Sequence, residues 1–217
     1  MFYTYGNVLN DFRLAMPSYR PAVTALKKAD PILAQLITQV GPCTLSQDQD
    51  AGDLLMVLSQ AIISQQLSVK AAATIYQRFL NVFTEPLTAT VLLATPDETL
   101  REAGISRPKI TYLKSLAQHI LAGLPSLEEL ASLEDEAIVQ TLTQVKGIGR
   151  WTVEMLLIFR LHRWDVLPVD DLGIRSAARK LYGLNDLPDK KTLHQLGQPW
   201  QPYRSVAAWY LWRSLEL

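Results

Sequence analysis

At 217 residues the chain is long enough for a sizeable core, and 48% apolar residues fit a folded, soluble protein. Twenty-one basic residues against 21 acidic ones give zero formal charge, which argues against a binder that draws affinity from many Lys/Arg–phosphate pairs. A single cysteine, Cys43, excludes an internal disulfide, and three scattered histidines offer no spacing for protein-held zinc or an iron–sulfur cluster.

The N-terminal MFYTYGNVLNDFR has no basic stretch followed by an apolar run, and no apolar stretch reaches membrane-spanning length. A soluble, cytoplasmic protein is expected. Asp30-Pro31 predicts an N-cap with proline at N1, the run ILAQLITQV follows, and Gly41-Pro42 stops it. The polar stretch from Gln47 to Gly52 is the one visible break. Helices are then predicted in LLMVLSQAIIS from Leu54, SVKAAATIYQRFL from Ser68 and KITYLKSLAQHILAG from Lys109. Thr95-Pro96-Asp97-Glu98 and the pair Ser126 and Glu129 read as capping boxes. Period-two alternation is absent, so the chain is expected to be all-α, with about ten helices. Trp209 and Tyr210 read as core.

The segment before Val145 has Ile138, Leu142 and Val145 on one helical face, Gly147-Ile148-Gly149 breaks it, and an apolar helix restarts near Arg150. This pattern predicts a helix-hairpin-helix. Glycines let the turn adopt positive φ and let a phosphate approach without meeting a Cβ. The N–H groups of Gly149, Arg150 and Trp151 open the second helix without intrahelical acceptors, so they can hold an anion with Lys146 and Arg150 alongside. After the second helix, LPVDDLGIR places Asp170 and Asp171 at the mouth of another helix. One carboxylate can be a plain N-cap; two adjacent ones repel, which leaves one for another task.

Together, QAIISQQLSVKAA, VKGIGRWTVEMLL, LPVDDLGIR and WQPYRSVAAWYLW resemble the helix-hairpin-helix DNA glycosylases, most closely the 3-methyladenine glycosylase II (AlkA-like) branch, from about Leu54 to Trp212. The resemblance implies one unit over 1–217, with a lobe of 1–53 plus 160–217 and a lobe of 54–159 that includes the hairpin. The substrate pocket would lie between the lobes. In that family the essential aspartate stands three residues before an aliphatic position, which Ile174 occupies for Asp171; Asp170 and Arg204 would be auxiliary. Trp151, Met155 and Trp212 would border the base pocket. Gln66, Leu67 and Ser68 are the candidates for a wedge that fills the gap left by a flipped nucleotide. A structural monovalent cation at the carbonyls of Val145 and Ile148 is implied, with no other cofactor.

The chemistry asks for such a carboxylate, because breaking a base–sugar bond builds positive charge on the sugar that an ionised Asp171 can stabilise. A base already cationic through N3 or N7 alkylation leaves without a general acid. Relatives that also cut the backbone resemble GVGRKTA, whose Schiff-base lysine is Trp151 here, so base release without strand cleavage is expected. The expected protein is a monomer that excises alkylated purines from damaged duplex DNA. Two rivals are a glycosylase for oxidised, deaminated or mismatched bases and a non-catalytic module that senses DNA structure.

Overall fold

The computed structural model describes residues 18–45 and 52–217; the MFYTYGNVLNDFR segment and most of the Gln47 to Gly52 break lie outside them. Among the described residues there are thirteen α-helices and no strand. The excess over about ten has a simple cause: links of one or two residues split short helices. One is Thr95-Pro96, between α5 (Ala89–Ala94) and α6 (Asp97–Glu102). The capping box expected there does not form. Thr95 ends α5 and its hydroxyl donates to the carbonyl of Val91, so Pro96 is left as the cap of α6. The box at α8 (Leu127–Ala131) is present, with the Ser126 and Glu129 side chains each accepting from the other's backbone N–H.

The helices pack in two groups. In one, α1 (Arg20–Ala29), α2 (Pro31–Val40) and α11 (Leu172–Leu181) pack on α13 (Arg204–Arg213). Helix α13 is buried on all sides from Ser205 to Leu211, so it has no polar stripe and serves as the centre of this layer. Trp209 and Tyr210 are 5% and 0% exposed and belong to the core. In the other group α3 (Leu54–Ser64), α5 and α6 pack on α7 (Arg107–Leu121), α4 (Val69–Leu80) on α3, and α9 (Asp135–Leu142) on α10 (Arg150–Phe159).

The chain returns from α10 to α11 through 160–171, and this crossing sets where the acidic pair lands. Arg204 forms a two-pronged pair with Asp165 (2.7 and 3.0 Å), and Ser205 accepts from the backbone of Val166 at 3.0 Å. Both residues come from the first turn of α13, so the buried helix holds the crossing segment. Arg204, expected to be auxiliary, therefore anchors the loop that carries the acidic pair through its bonds to Asp165. No helix among the described residues is long and apolar enough to cross a membrane.

Candidate active site

Asp171 is the N-cap of α11 and its Oδ1 accepts from the backbone N–H of Ile174 at 2.7 Å. A cap normally needs only that bond. Here the same oxygen also accepts from the indole N–H of Trp212 at 2.9 Å, and Oδ2 accepts from the indole N–H of Trp151 at 2.8 Å. Three donors from three elements converge on one half-buried carboxylate. Since a carboxylate offers about four acceptor positions, one on Oδ2 remains for a ligand or water. Gly173 permits this packing, because a Cβ there would come within 3.0 Å of Asp171 Oδ1 and 3.2 Å of the Trp212 ring.

Asp170 is exposed and pairs with Lys190 at 2.8 Å, an arrangement worth little in solvent. The cap falls to Asp171 and the surface pair to Asp170. Glu154 on α10 is 7% exposed, and its Oε2 has no hydrogen-bond partner. Burial pushes its carboxyl up to about 7, Asp170 and Asp171 push the same way, and Arg150 and Lys190 pull against them.

Beside Asp171 a cleft runs between α3 and α10. Its mouth, about 660 Å³, is lined by Ala61, Ser64, Gln65, Gln66, Leu67 and Trp151 with Thr152, Met155 and Phe159. Trp151 lines the cleft and is 44% exposed, with its indole N–H tied to Asp171. Trp212 is not among the lining residues. Phe159 stacks on it at 5.6 Å and 28°, so its expected place in the pocket wall is taken by Phe159. That residue was legible in principle, because Trp151, Met155 and Phe159 stand at i, i+4 and i+8 on one row of α10.

The hairpin abuts the same cleft. Ile138, Leu142 and Val145 are buried, as the spacing predicts, and Ile148 in the turn is buried with them. Only Gly147 has positive φ, at 89°, and a Cβ there would strike the Tyr112 ring at 2.3 Å. Gly149 departs from the expected left-handed turn: its φ is −97° and a Cβ would meet nothing within 4 Å. Among the described residues nothing demands glycine at 149, and the first residues of α10 are exposed, so a ligand there would meet bare backbone. Lys146 is exposed, while the Arg150 guanidinium, expected to be free for phosphate, is held by Glu136 at 2.7 and 3.0 Å. An exposed pair of this kind contributes little in solvent, so a phosphate can displace Glu136.

The turn after α3 is tied to the hairpin by contacts that its sequence does not announce. The Gln65 amide donates to the carbonyl of Gly147 at 2.9 Å, and Lys109 donates to the carbonyls of Ile63 and Gln65, both at 2.7 Å. Gln66, exposed at φ 59°, forms the apex, and Leu67 follows on the rim. Ser68 uses its hydroxyl to cap α4 by accepting from Ala71, which leaves it a weak wedge candidate. Val69, 89% exposed, adds an apolar side chain to this tip that the sequence reading passed over.

With this geometry in view, residues 59–202 match the model of the HhH-GPD superfamily base excision DNA repair proteins. The chain belongs to that family. It is similar to DNA-3-methyladenine glycosylase 1 of Schizosaccharomyces pombe, 39% identical over 90% of each chain. A solved structure of a 3-methyladenine DNA glycosylase (Mag1) from the same organism, in complex with abasic DNA, superposes with a TM-score of 0.84 at 38% identity, over 91% of this chain and 97% of the other. A DNA-3-methyladenine glycosidase from Bacillus halodurans does so with a TM-score of 0.80 at 36% identity, over 91% of each.

Proposed function

We propose that this chain is a monofunctional DNA glycosylase that hydrolyses the N-glycosidic bond of N3- or N7-alkylated purines flipped out of duplex DNA. The observation that carries this is Asp171, held by two indole N–H groups at the mouth of an apolar cleft beside the hairpin. As the bond from C1′ to the base breaks, its electron pair moves onto the base and neutralises the positive ring. The sugar takes up positive charge opposite Asp171. A water supplies the oxygen that bonds C1′, and its proton passes to Asp171 or to solvent, leaving an abasic sugar.

Among the described residues lining the cleft there is no Asp, Glu, His or Lys. A neutral leaving base finds no general acid, and an abasic aldehyde finds no amine for an imine. Glu154 does not change this, since it lies on the buried side of α10 away from the lining. Trp151 in the cleft lining would favour a cationic base that meets its ring face by about 0.5–2 kcal/mol, a smaller effect than leaving-group ability.

Gln66 and Leu67 at the tip would fill the vacated stack, and the N–H groups that open α10 would hold a backbone phosphate. The hairpin fits a monovalent cation as well. Val145 and Ile148 would offer backbone carbonyls to it, and the Val145 oxygen, which accepts from Ile148 N–H at 3.1 Å, keeps a second lone pair. Such an ion would offset phosphate charge.

The test is single-turnover release of 3-methyladenine, 7-methylguanine, hypoxanthine and uracil from matched duplexes, with strand scission scored and Asp171→Asn run beside wild type. Asparagine keeps the cap but sets its amide against an indole N–H, so release falls by a factor on the order of 10²–10³ while abasic-analogue DNA still binds. The two alkylpurines leave fastest, and strands break only in hot alkali. Equal or faster release of a neutral base overturns the alkylpurine reading.

A further inference from the structure

The turn after α3 and the hairpin are joined by the Gln65 bond to Gly147, and both also rest on α7. Along one side of that helix Lys109, Tyr112 and Ser115 stand three residues apart. Lys109 sends its ammonium to the carbonyls of Ile63 and Gln65. The Tyr112 ring sits against Gly147, where a Cβ would come within 2.3 Å of it. The Ser115 hydroxyl accepts from the backbone N–H of Lys146 at 3.4 Å. One stretch of α7 therefore supports the tip and the hairpin together. From Lys109 to Ser115 it spans about 9 Å, at about 1.5 Å per residue, and that length sets the offset between them.

We propose that Lys109 is a positioning residue for base flipping, which holds the tip at Gln66 and Leu67 at a fixed offset from the phosphate-binding hairpin. The proposal rests on the reading above that this tip fills the vacated stack. Helix α3 ends at Ser64, and the carbonyls of its last turn need donors. Lys109 brings them N–H groups and, at the negative end of that helix, a cation. The next requirement is at the apex. Gln66 has a φ of 59°, a region that a non-glycine residue keeps only when its surroundings hold it there. The carbonyl of Gln65, which Lys109 also binds, belongs to the peptide group on which this φ turns. Lys109 itself stands in the first turn of α7, where a cation gains nothing from the dipole of its own helix, so its place is explained by the turn it serves. A tip released from Lys109 would meet the duplex at varied distances from the gripped phosphate, and only one of them puts it into the gap.

Lys109→Met tests this, since it keeps the length of the side chain and removes its donors. A duplex with 2-aminopurine beside an abasic analogue reports the tip without any catalysis, because its fluorescence follows the state of the neighbouring stack. The variant should bind undamaged duplex within about twofold of wild type, the hairpin being left in place. It should lose most of the fluorescence change and release 7-methylguanine roughly tenfold more slowly in single turnover. Coupling identifies the route. In a chain that already carries Gln66→Ala and Leu67→Ala, Lys109→Met should cost nothing further, whereas a merely structural lysine costs the same in both backgrounds. A wild-type fluorescence change in folded Lys109→Met protein, or equal costs in the two backgrounds, overturns the proposal and spares the glycosylase reading. Failure of the wild-type chain to release any alkylated purine overturns that reading, while the fluorescence series still decides whether Lys109 sets the tip. Should Lys109→Met not fold, Lys109→Gln, which keeps an amide donor for one carbonyl, is read by the same measures.

Discussion

Asp30 and Asp171 both stand at a helix N-cap, both accept from an indole N–H, and both are bonded by residues far away in sequence. Asp30 is 8% exposed, and its two oxygens take Ile32 and Leu33 N–H, the Tyr182 hydroxyl and the Trp200 indole. Burial alone would push its carboxyl up, but these four donors, Tyr182 foremost, outweigh it and hold it below its ordinary range. Every acceptor position is taken from inside, so the Asp30 carboxylate can only tie the start of α2, the end of α11 and the short helix Gln198–Trp200 together. Asp171 is half-buried, with three donors and an apolar cleft beside it. Saturation makes the first carboxylate structural; the unfilled position makes the second available for chemistry.

The largest way to break this contrast is Asp30→Ala, which removes two cap bonds and strands the Tyr182 and Trp200 donors in the core. Unfolding by denaturant should show a loss on the order of 2–4 kcal/mol, with base release per folded molecule unchanged. The depressed pKa sets the pH window. The Asp30 contribution is in place above the ordinary value of 3.8 and is lost as pH falls through the lower folded value, so the variant and wild type converge in acid. Slowed excision in the folded variant would show that Asp30 reaches the site.

Trp151→Phe sharpens the other side. It removes one charge-assisted bond from Asp171 Oδ2 on a side chain that is 44% exposed, so excision should fall roughly tenfold. Stability should barely move, and single-turnover rates set beside melting curves check both. Normal excision with a marked loss of stability would make the Asp171 network a second copy of the Asp30 one.

A third effect, confined to neutral and alkaline pH, is expected at Glu154, whose Oε2 lacks the donors that compensate Asp30. Its carboxyl is raised to about 7 from 4.5. The folded state therefore holds the proton more tightly than the unfolded chain. Stability is greatest below 4.5, declines as pH rises through about 7 and is flat beyond. Glu154→Gln removes the penalty, so it should stabilise by on the order of 1–3 kcal/mol at pH 8 and hardly at all at pH 4. Unfolding free energies at the two pH values check it, and an equal effect at both would show that the folded state leaves the carboxyl at its ordinary value.

Local signals in the chain were sufficient where a single element decides the outcome. Asp30-Pro31, the Ser126 and Glu129 box, and the buried face of Ile138, Leu142 and Val145 all depend on residues within one or two turns of each other. So does Asp171 as a cap. Motif order was enough for the family, since four segments with distinct composition had to fall in sequence. Thr95 shows the local limit: its hydroxyl had two helices to serve, and the shorter reach to the carbonyl of Val91 won.

The sequence by itself determined an all-α chain, the hairpin with its apolar face, and an acidic pair at the start of a helix, because helical period, glycine breaks and capping act over a few residues. Only the tertiary structure decided what those residues do for one another. Trp212 and Trp151 lie 41 and 20 residues from Asp171 and meet it through α13 and α10; Arg204 is drawn off to Asp165, Arg150 to Glu136, and Phe159 takes the wall that Trp212 leaves. Which partner a donor finds depends on where helices cross, and a crossing is the sum of buried contacts over the whole core, which no spacing along one segment encodes.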